Sequence, residues 1–190
     1  MKTIAWDVDD TLNDLMRAWL AGWNRSRAGT RRAAYADLRE NPPHKILGIS
    51  PAAYLRSYDA FRLSGAYAAL PPDKEVLRWF RERGAGYRHI AVTSVPLRAA
   101  HESAGWVYRN FGRWIRTFHV VPSPRKGERL PAYDATKAGF LRRIGGCDIF
   151  VDDSPENIRQ VRALGARCLL APRPWNGQKG GMAGLLRTLT

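Results

Sequence analysis

The fold is decided by the stretch Ile4-Ala5-Trp6-Asp7-Val8-Asp9-Asp10-Thr11-Leu12, in which an apolar run ends abruptly in three carboxylates within four residues. In an extended strand, side chains two positions apart share a face, so Asp7 and Asp9 point the same way as the strand leaves the core. Two carboxylates on one face repel each other, and a divalent cation is the usual reason for placing them together. The alternative is an acidic turn that caps the next helix, which explains Asp10 or Thr11 well and the Asp7/Asp9 pair poorly.

The second half of the chain alternates between apolar strands and helices. We predict strands at residues 89–93, 117–121, 148–151 and 167–171, separated by helices that begin at Ser94-Val95-Pro96, Thr136 and Ser154-Pro155. Apolar strands without strict alternation, separated by helices, are typical of a parallel sheet covered on both faces. The predicted fold is therefore a three-layer, Rossmann-like α/β fold.

A helical segment interrupts this pattern directly after the first strand. Apolar residues recur at helical spacing from Leu15 to Trp23, and Ser50-Pro51 opens a further helix as N-cap and first position. Another helix starts at Pro71-Pro72-Asp73, is ended by Gly84-Ala85-Gly86 and returns the chain to the sheet. We predict a core formed by residues 1–12 and 88–190, with a small helical insertion at residues 13–87.

Composition and charge limit the classes of function. The chain has 190 residues and a formal net charge of +14, and only six of its 31 basic residues are lysines. This balance suits phosphorylated ligands and nucleic acid, although scattered arginines are equally typical of a solvated surface. No apolar run reaches the roughly 18 residues of a membrane span, and we see no signal peptide. Cys147 and Cys168 lie in apolar sequence typical of buried thiols, so we expect a cytoplasmic protein.

Polar residues at strand ends are candidate site residues, because ligands of doubly wound sheets bind at the carboxyl ends of the strands. Lys137 lies in the first turn of a predicted helix, where the helix dipole disfavours a cation. A nearby anion explains this position better than a solvated lysine does. Three predicted strands end in polar residues, namely Asp7 and Asp9, Thr93 and Ser94, and Asp152 and Asp153.

These residues together resemble the four motifs of the haloacid dehalogenase (HAD) superfamily, in the expected order. The motifs are Asp7-Val8-Asp9-Asp10-Thr11-Leu12, Thr93, Lys137 and Asp152-Asp153. The insertion lies where this superfamily places its type 1 cap. The resemblance implies a phosphatase, because members that act on carbon–halogen bonds lack the second aspartate of the first motif.

The resemblance also implies a role for each residue. Asp7 would be the nucleophile that forms an aspartyl-phosphate, and Asp9 the general acid and base. Thr93, with Ser94 beside it, and Lys137 would bind the phosphoryl oxygens, whereas Lys126 is an alternative for the lysine role. Asp10 departs from the glycine that relatives often carry. Mg²⁺ would be held by Asp7, the backbone carbonyl of Asp9, and Asp153, with Asp152 assisting.

The substrate depends on the insertion, and here the sequence leaves alternatives open. We favour a nucleoside monophosphate or another small phosphorylated metabolite. The aspartate-rich first motif, Thr93-Ser94-Val95-Pro96 and Arg173-Pro174-Trp175-Asn176 resemble the 5′(3′)-deoxyribonucleotidase-like branch. The alternatives are a phosphatase of nucleic-acid 3′-phosphate ends and a non-catalytic basic module that binds nucleic acid or protein. Aromatic residues of the insertion either stack on a base or pack on one another: Trp19, Trp23, Tyr35, Tyr54, Tyr58 and Phe61.

Overall fold

A five-stranded, all-parallel sheet forms the centre of the computed structural model, which describes residues 1–26, 32–131 and 133–189. The strand order is β3-β2-β1-β4-β5. The predicted α/β fold with a parallel sheet is confirmed. The strands are β1 (Thr3–Trp6), β2 (Arg88–Val95), β3 (Ile115–Pro122), β4 (Ile149–Asp152) and β5 (Arg167–Leu170).

Helices cover both faces of this sheet and bury its alternating side chains. They are α1 (Leu15–Ser26), α2 (Pro51–Arg62), α3 (Gly65–Ala68), α4 (Lys74–Arg83), α5 (Ala100–Phe111), α6 (Lys137–Arg143), α7 (Pro155–Arg162) and α8 (Met182–Arg187). Ile4 and Trp6 belong to the larger core, which α1, α2, α4, α5 and α8 complete, whereas Ala5 and Phe150 belong to a second core beneath α6 and α7. Two cores on opposite faces make the three layers.

Side-chain caps fix the starts of the predicted helices. Ser50 accepts a hydrogen bond from the Ala53 amide, which confirms it as the N-cap of α2. Thr136 and Ser154 cap α6 and α7 in the same way, as the sequence predicts. The helix expected directly at Ser94-Val95-Pro96 starts later, because β2 continues through Val95 in register with β3 and a 3₁₀ turn follows before α5.

The helical insertion closes close to where it opens. Asn13 and Pro72 form an isolated antiparallel bridge, and the Asp73 amide donates to the Leu12 carbonyl at 2.8 Å. The next helix, α4, packs on the sheet, since the ring of Phe80 lies 5.1 Å from that of Trp6. We therefore propose that the insertion spans residues 13–72, and that α4 belongs to the core layer.

Across the described residues, no helix combines the length and apolar character needed to cross a membrane. Cys147 and Cys168 are both free and partly buried. Burial raises the pKa of the Cys147 thiol to about 12, so this group stays protonated at neutral pH.

Candidate active site

The polar residues that follow the strands come together at the carboxyl ends of the sheet. β1 lies between β2 and β4, so Asp7, which follows β1, is flanked by Thr93 near the end of β2 and by Asp152 at the end of β4. Asp7 and Thr93 line a partly open cavity of about 160 Å³ at these strand ends. The cavity is lined by Asp7, Asp9, Asp10, Asn41, Tyr58, Arg62, Thr93, Ser94, Lys137, Asp153 and Asn157.

A buried acidic triad forms one wall of the site. One carboxylate oxygen from each of Asp7, Asp152 and Asp153 lies within 4.8 Å of the others. Their exposed fractions are 5%, 0% and 8%. Lys137, only 3% exposed, contacts Asp7 directly and places its Nζ 2.7 Å from Asp152. The predicted aspartates and the predicted lysine are thus brought together.

Burial dominates the electrostatics of the triad. It raises the pKa of Asp7 well above its ordinary value, although Lys137 pulls in the opposite direction. Burial and the neighbouring Asp152 likewise raise the pKa of Asp153. Burial alone would lower the pKa of Lys137, but its ion pairs with Asp152 and Asp7 outweigh that effect and keep it protonated. When all three carboxylates are ionised, one ammonium leaves two negative charges uncompensated.

These residues fit a divalent cation. Clustered carboxylate oxygens are the ligands that hard divalent cations prefer, and a charge of +2 matches the uncompensated charge of the triad. The cluster is also buried, which makes the unpaired negative charge costly without a cation.

Asp9 has a different environment, formed largely by the insertion. Arg62, the last residue of α2, donates from Nε and Nη2 to one oxygen of Asp9 at 3.1 and 3.0 Å. Tyr67 in α3 and Asn13 donate to the other oxygen at 3.0 and 3.3 Å. Sequence reasoning missed Arg62 and Tyr67, which belong to no motif.

Asp10 adopts a conformation that explains the departure from glycine. Its φ of 61° is left-handed, which aspartate tolerates better than most residues. Its carboxylate accepts from the Met16 amide at 2.8 Å and from the Tyr58 hydroxyl at 3.3 Å, so the side chain anchors the start of α1. Burial raises the pKa of Asp10 to about 7.

The segment after β5, residues 173–176, donates hydrogen bonds to the loops that carry Asp10 and Asp153. Trp175 Nε1 donates to Asp153 at 2.9 Å, and Asn176 Nδ2 donates to the Asp153 carbonyl at 2.8 Å. Arg173 Nε donates to the Asp10 carbonyl at 2.6 Å. This segment, singled out in the sequence for its resemblance to one branch of the superfamily, therefore positions the acidic residues.

A buried ion-pair cluster joins the insertion to two loops of the core. Asp59 in α2 is 2% exposed and receives two hydrogen bonds from Arg125, at 2.7 and 2.8 Å. Arg98 donates to it at 2.8 Å, and Arg62 lies 3.8 Å away. Because of Arg125 and Arg98, the pKa of Asp59 is lowered despite the opposing effect of burial. Arg62 therefore connects this ion-pair cluster, which we call the seam between insertion and core, to Asp9.

The remaining predicted residues differ in their positions. Thr93 is buried and Ser94 exposed, and both line the cavity. Lys126 is exposed and has no ion-pair partner among the residues that the structure describes. Of the six aromatic residues singled out in the insertion, Tyr58 lines the cavity. Most of the others pack on neighbouring rings, as Trp19 does on Tyr54 at 5.2 Å.

No protein-family model and no curated protein sequence matches this chain. Several solved structures are similar to it. A hydrolase from Streptococcus pneumoniae TIGR4 is 16% identical, with a TM-score of 0.65, covering 100% of this chain and 99% of that chain. A haloacid dehalogenase-like family hydrolase from Streptococcus pneumoniae is 14% identical, with a TM-score of 0.62, covering 98% and 90%.

A third similar structure contains ligands. It is a HAD family hydrolase from Deinococcus radiodurans R1 with bound phosphate and sodium, 16% identical, with a TM-score of 0.57, covering 98% of this chain and 87% of that chain. The present chain therefore has the fold of haloacid dehalogenase-like hydrolases, as its motifs predict.

Proposed function

We propose that the protein is a Mg²⁺-dependent phosphomonoester hydrolase that acts through an aspartyl-phosphate on Asp7. One observation carries this proposal: the buried Asp7 carboxylate lines the cavity, contacts the Lys137 ammonium and lies within 4.8 Å of two further carboxylates. A carboxylate nucleophile beside a fixed cation is suited to an anionic phosphoryl group, whose charge would otherwise repel it.

In the first step, an Asp7 oxygen attacks phosphorus and the bond from phosphorus to the leaving oxygen breaks. Asp9, protonated at this stage, gives its proton to the leaving oxygen. Lys137 offsets the negative charge of Asp7 and of the phosphoryl oxygens. Thr93 and Ser94, which line the cavity, supply hydroxyl donors for those oxygens.

In the second step, the Asp9 carboxylate takes a proton from water as the water oxygen attacks phosphorus. The bond between phosphorus and Asp7 breaks, so that inorganic phosphate leaves and both aspartates regain their starting forms. Arg62, Tyr67 and Asn13 hold Asp9 in place throughout. These residues are positioning residues for the general acid and base.

Asp7, the backbone carbonyl of Asp9, and Asp153 would hold Mg²⁺, with Asp152 assisting. When bound, the ion neutralises the triad and polarises the phosphoryl oxygens. Asp152 also accepts from Lys137 and Asn157, so it positions the lysine as well.

The volume of the cavity favours a small substrate. Pockets for drug-sized ligands measure about 300–1,000 Å³, whereas this cavity has about 160 Å³ and is partly open to solvent. Its lining is mostly polar and charged, as a phosphoryl group requires. Of the aromatic residues considered for stacking on a base, only Tyr58 belongs to the described lining. Of the substrates considered from the sequence, we therefore favour a small phosphorylated metabolite.

The test is hydrolysis of an aryl phosphate with Mg²⁺, comparing the wild type with Asp7→Asn. We expect the substitution to lower kcat by at least about a thousandfold, since it removes the nucleophile. Asp14→Asn is the matched control: Asp14 is partly exposed, pairs with Arg17 and does not line the cavity. Acid quenching after addition of labelled substrate should trap phosphate on the wild type only. Absence of turnover, or turnover unaffected by Asp7→Asn, would contradict the proposal.

The same preparations distinguish the alternatives kept from the sequence. A 3′-phosphorylated oligonucleotide hydrolysed faster than small phosphate esters would identify a phosphatase of nucleic-acid ends. Salt-sensitive binding of nucleic acid without turnover of any ester would identify a non-catalytic module.

A further inference from the structure

A second concave site lies at the amino ends of β2 and β3, whereas the catalytic cavity lies at the carboxyl ends of the strands. It has a volume of about 630 Å³ and is formed by the end of α4, the start of β2 and the connection from α5 to β3. Arg88 and Thr93 are five residues apart along β2, or about 16 Å at roughly 3.3 Å per residue. Ligands of this fold bind at the carboxyl ends of the strands, so this second site is not part of the usual ligand site. We refer to it as the rear cleft.

Four exposed arginines line the rear cleft: Arg81, Arg88, Arg113 and Arg116. None of them forms an ion pair with a described residue, and no acidic residue is part of the cleft lining in the described chain. By contrast, the exposed Arg159 is paired with Glu156 on the same helix. The rear cleft is thus a concentration of uncompensated positive charge.

Two of these arginines lie near the amino ends of adjacent strands. His89 of β2 pairs with Ile115 of β3, so Arg88 directly precedes the first of these paired residues and Arg116 directly follows the second, where the register shifts. Guanidinium groups gathered at the same strand ends favour the binding of an anion.

An aromatic surface accompanies the charges. The half-buried Trp114 lies in the cleft, and the Arg113 guanidinium is 5.8 Å from the centre of its ring. Gly84 permits this placement, because a Cβ there would come within 3.1 Å of Trp114 and of Phe80. Tyr87 also lines the cleft. Aromatic faces beside arginines are the combination that binds single-stranded nucleic acid, through base stacking and phosphate contacts.

His89, which also lines the cleft, does not contribute charge. Its Nδ1 accepts from the Trp6 indole at 3.0 Å, its Nε2 pairs with the Gly84 carbonyl at 2.8 Å, and burial lowers its pKa. The charge of the cleft's side chains therefore comes from guanidinium groups, which stay protonated at all physiological pH values.

We propose that the rear cleft binds single-stranded nucleic acid, with arginines on the phosphates and Trp114 beneath a base. A single strand is favoured over a duplex, because stacking on Trp114 requires an unpaired base. This function is separate from hydrolysis, since the cleft contains none of the catalytic residues.

The test is fluorescence anisotropy with a labelled single strand of about 15 nucleotides that carries hydroxyl groups at both ends. The catalytic site then has no terminal phosphate to bind. The test variant is Arg113→Ser/Arg116→Ser. The control variant, Arg56→Ser/Arg142→Ser, removes two other exposed and unpaired arginines, outside both cavities, and so has the same net charge.

At about 50 mM salt we expect the test variant to raise Kd by about tenfold and to reduce the salt slope by about 1.4, or about 0.7 for each lost phosphate contact. The control should change Kd less than about twofold. Thermal unfolding and aryl phosphate hydrolysis should be the same for both variants.

Three results would overturn the proposal. The first is no binding by the wild type. The second is an equal loss in both variants, which would mean that net charge alone attracts the strand. The third is competition by duplex or by inorganic polyphosphate as strong as competition by the unlabelled single strand, which would exclude a stacked base.

Discussion

Replacing Lys137 by methionine should make the stability of the protein dependent on divalent metal. The side chain is buried and is the cation that pairs directly with Asp7 and Asp152. Methionine fills nearly the same volume without the charge. The three carboxylates of the triad then share one buried cluster with no ammonium beside them.

The magnitude follows from the burial of the ion pairs. Removing one partner of a buried pair costs about 3–5 kcal/mol, because the other charge is left uncompensated. In a chain of this size, 1 kcal/mol corresponds to about 2–4 °C in Tm. We therefore expect Lys137→Met to lower Tm by about 6–20 °C in a metal chelator. Mg²⁺ should raise Tm more in this variant than in the wild type, since the ion meets three uncompensated charges instead of two.

The assay is thermal unfolding with and without Mg²⁺, combined with aryl phosphate hydrolysis. Loss of the lysine from the phosphate site should also lower kcat by about 10²–10³-fold. Lys126→Met is the control, because Lys126 is exposed and its loss should change stability by less than about 0.5 kcal/mol.

Two results would refute this reasoning. If Lys126→Met were inactive while Lys137→Met kept its activity, the lysine role would belong to the loop and not to α6. If Lys137→Met were as stable as the wild type in chelator, the triad would not be ionised and a metal would not be needed to balance it.

Two further predictions concern the acids beside the triad. Arg62→Lys keeps the charge but loses the paired hydrogen bonds to Asp9, so kcat should fall about tenfold with KM nearly unchanged in steady-state assays. An unchanged kcat would mean that Arg62 only packs. In chelator, the free energy of unfolding should fall as pH rises from about 4 to 7, because the raised pKa of Asp10, about 7, makes the folded chain hold a proton that the unfolded chain has already released. Asp10→Asn should flatten this fall in a series of melting curves, and a steeper fall would contradict the assigned direction.

The sequence predicts the cluster of aspartates because the end of each strand can be recognised from a few neighbouring residues. An apolar run followed by Asp7 gives both the strand and the side chain at its end, and parallel pairing then places that side chain beside the end of β4. The N-cap at Thr136 similarly gave the start of the helix that carries Lys137. Each inference needed only a few neighbouring residues and one rule of topology.

Contacts across the seam between insertion and core could not be predicted in this way. Arg62 reaches Asp9 across 53 residues, and Arg125 reaches Asp59 across 66. No local pattern distinguishes these arginines from the many exposed ones, since their partners are chosen by how α2 packs against the core. The extension of β2 to Val95 has the same origin, because pairing with β3 and not local propensity determines where the strand ends.

The seam links substrate size to the position of the insertion. Arg62 contacts Asp9 on one side and lies near Asp59 on the other, and Asp59 is held by arginines from two core loops. The cavity is partly open, and Tyr58 and Arg62 of the insertion form part of its lining, so a substrate that pushes the insertion away from the core would break these ion pairs. Breaking them removes Arg62 from Asp9 and disturbs the group that is proposed to protonate the leaving oxygen. A small phosphate ester makes the least demand on the insertion and would leave Asp9 held by Arg62 and Tyr67, which is the physical reason for favouring it over a nucleotide.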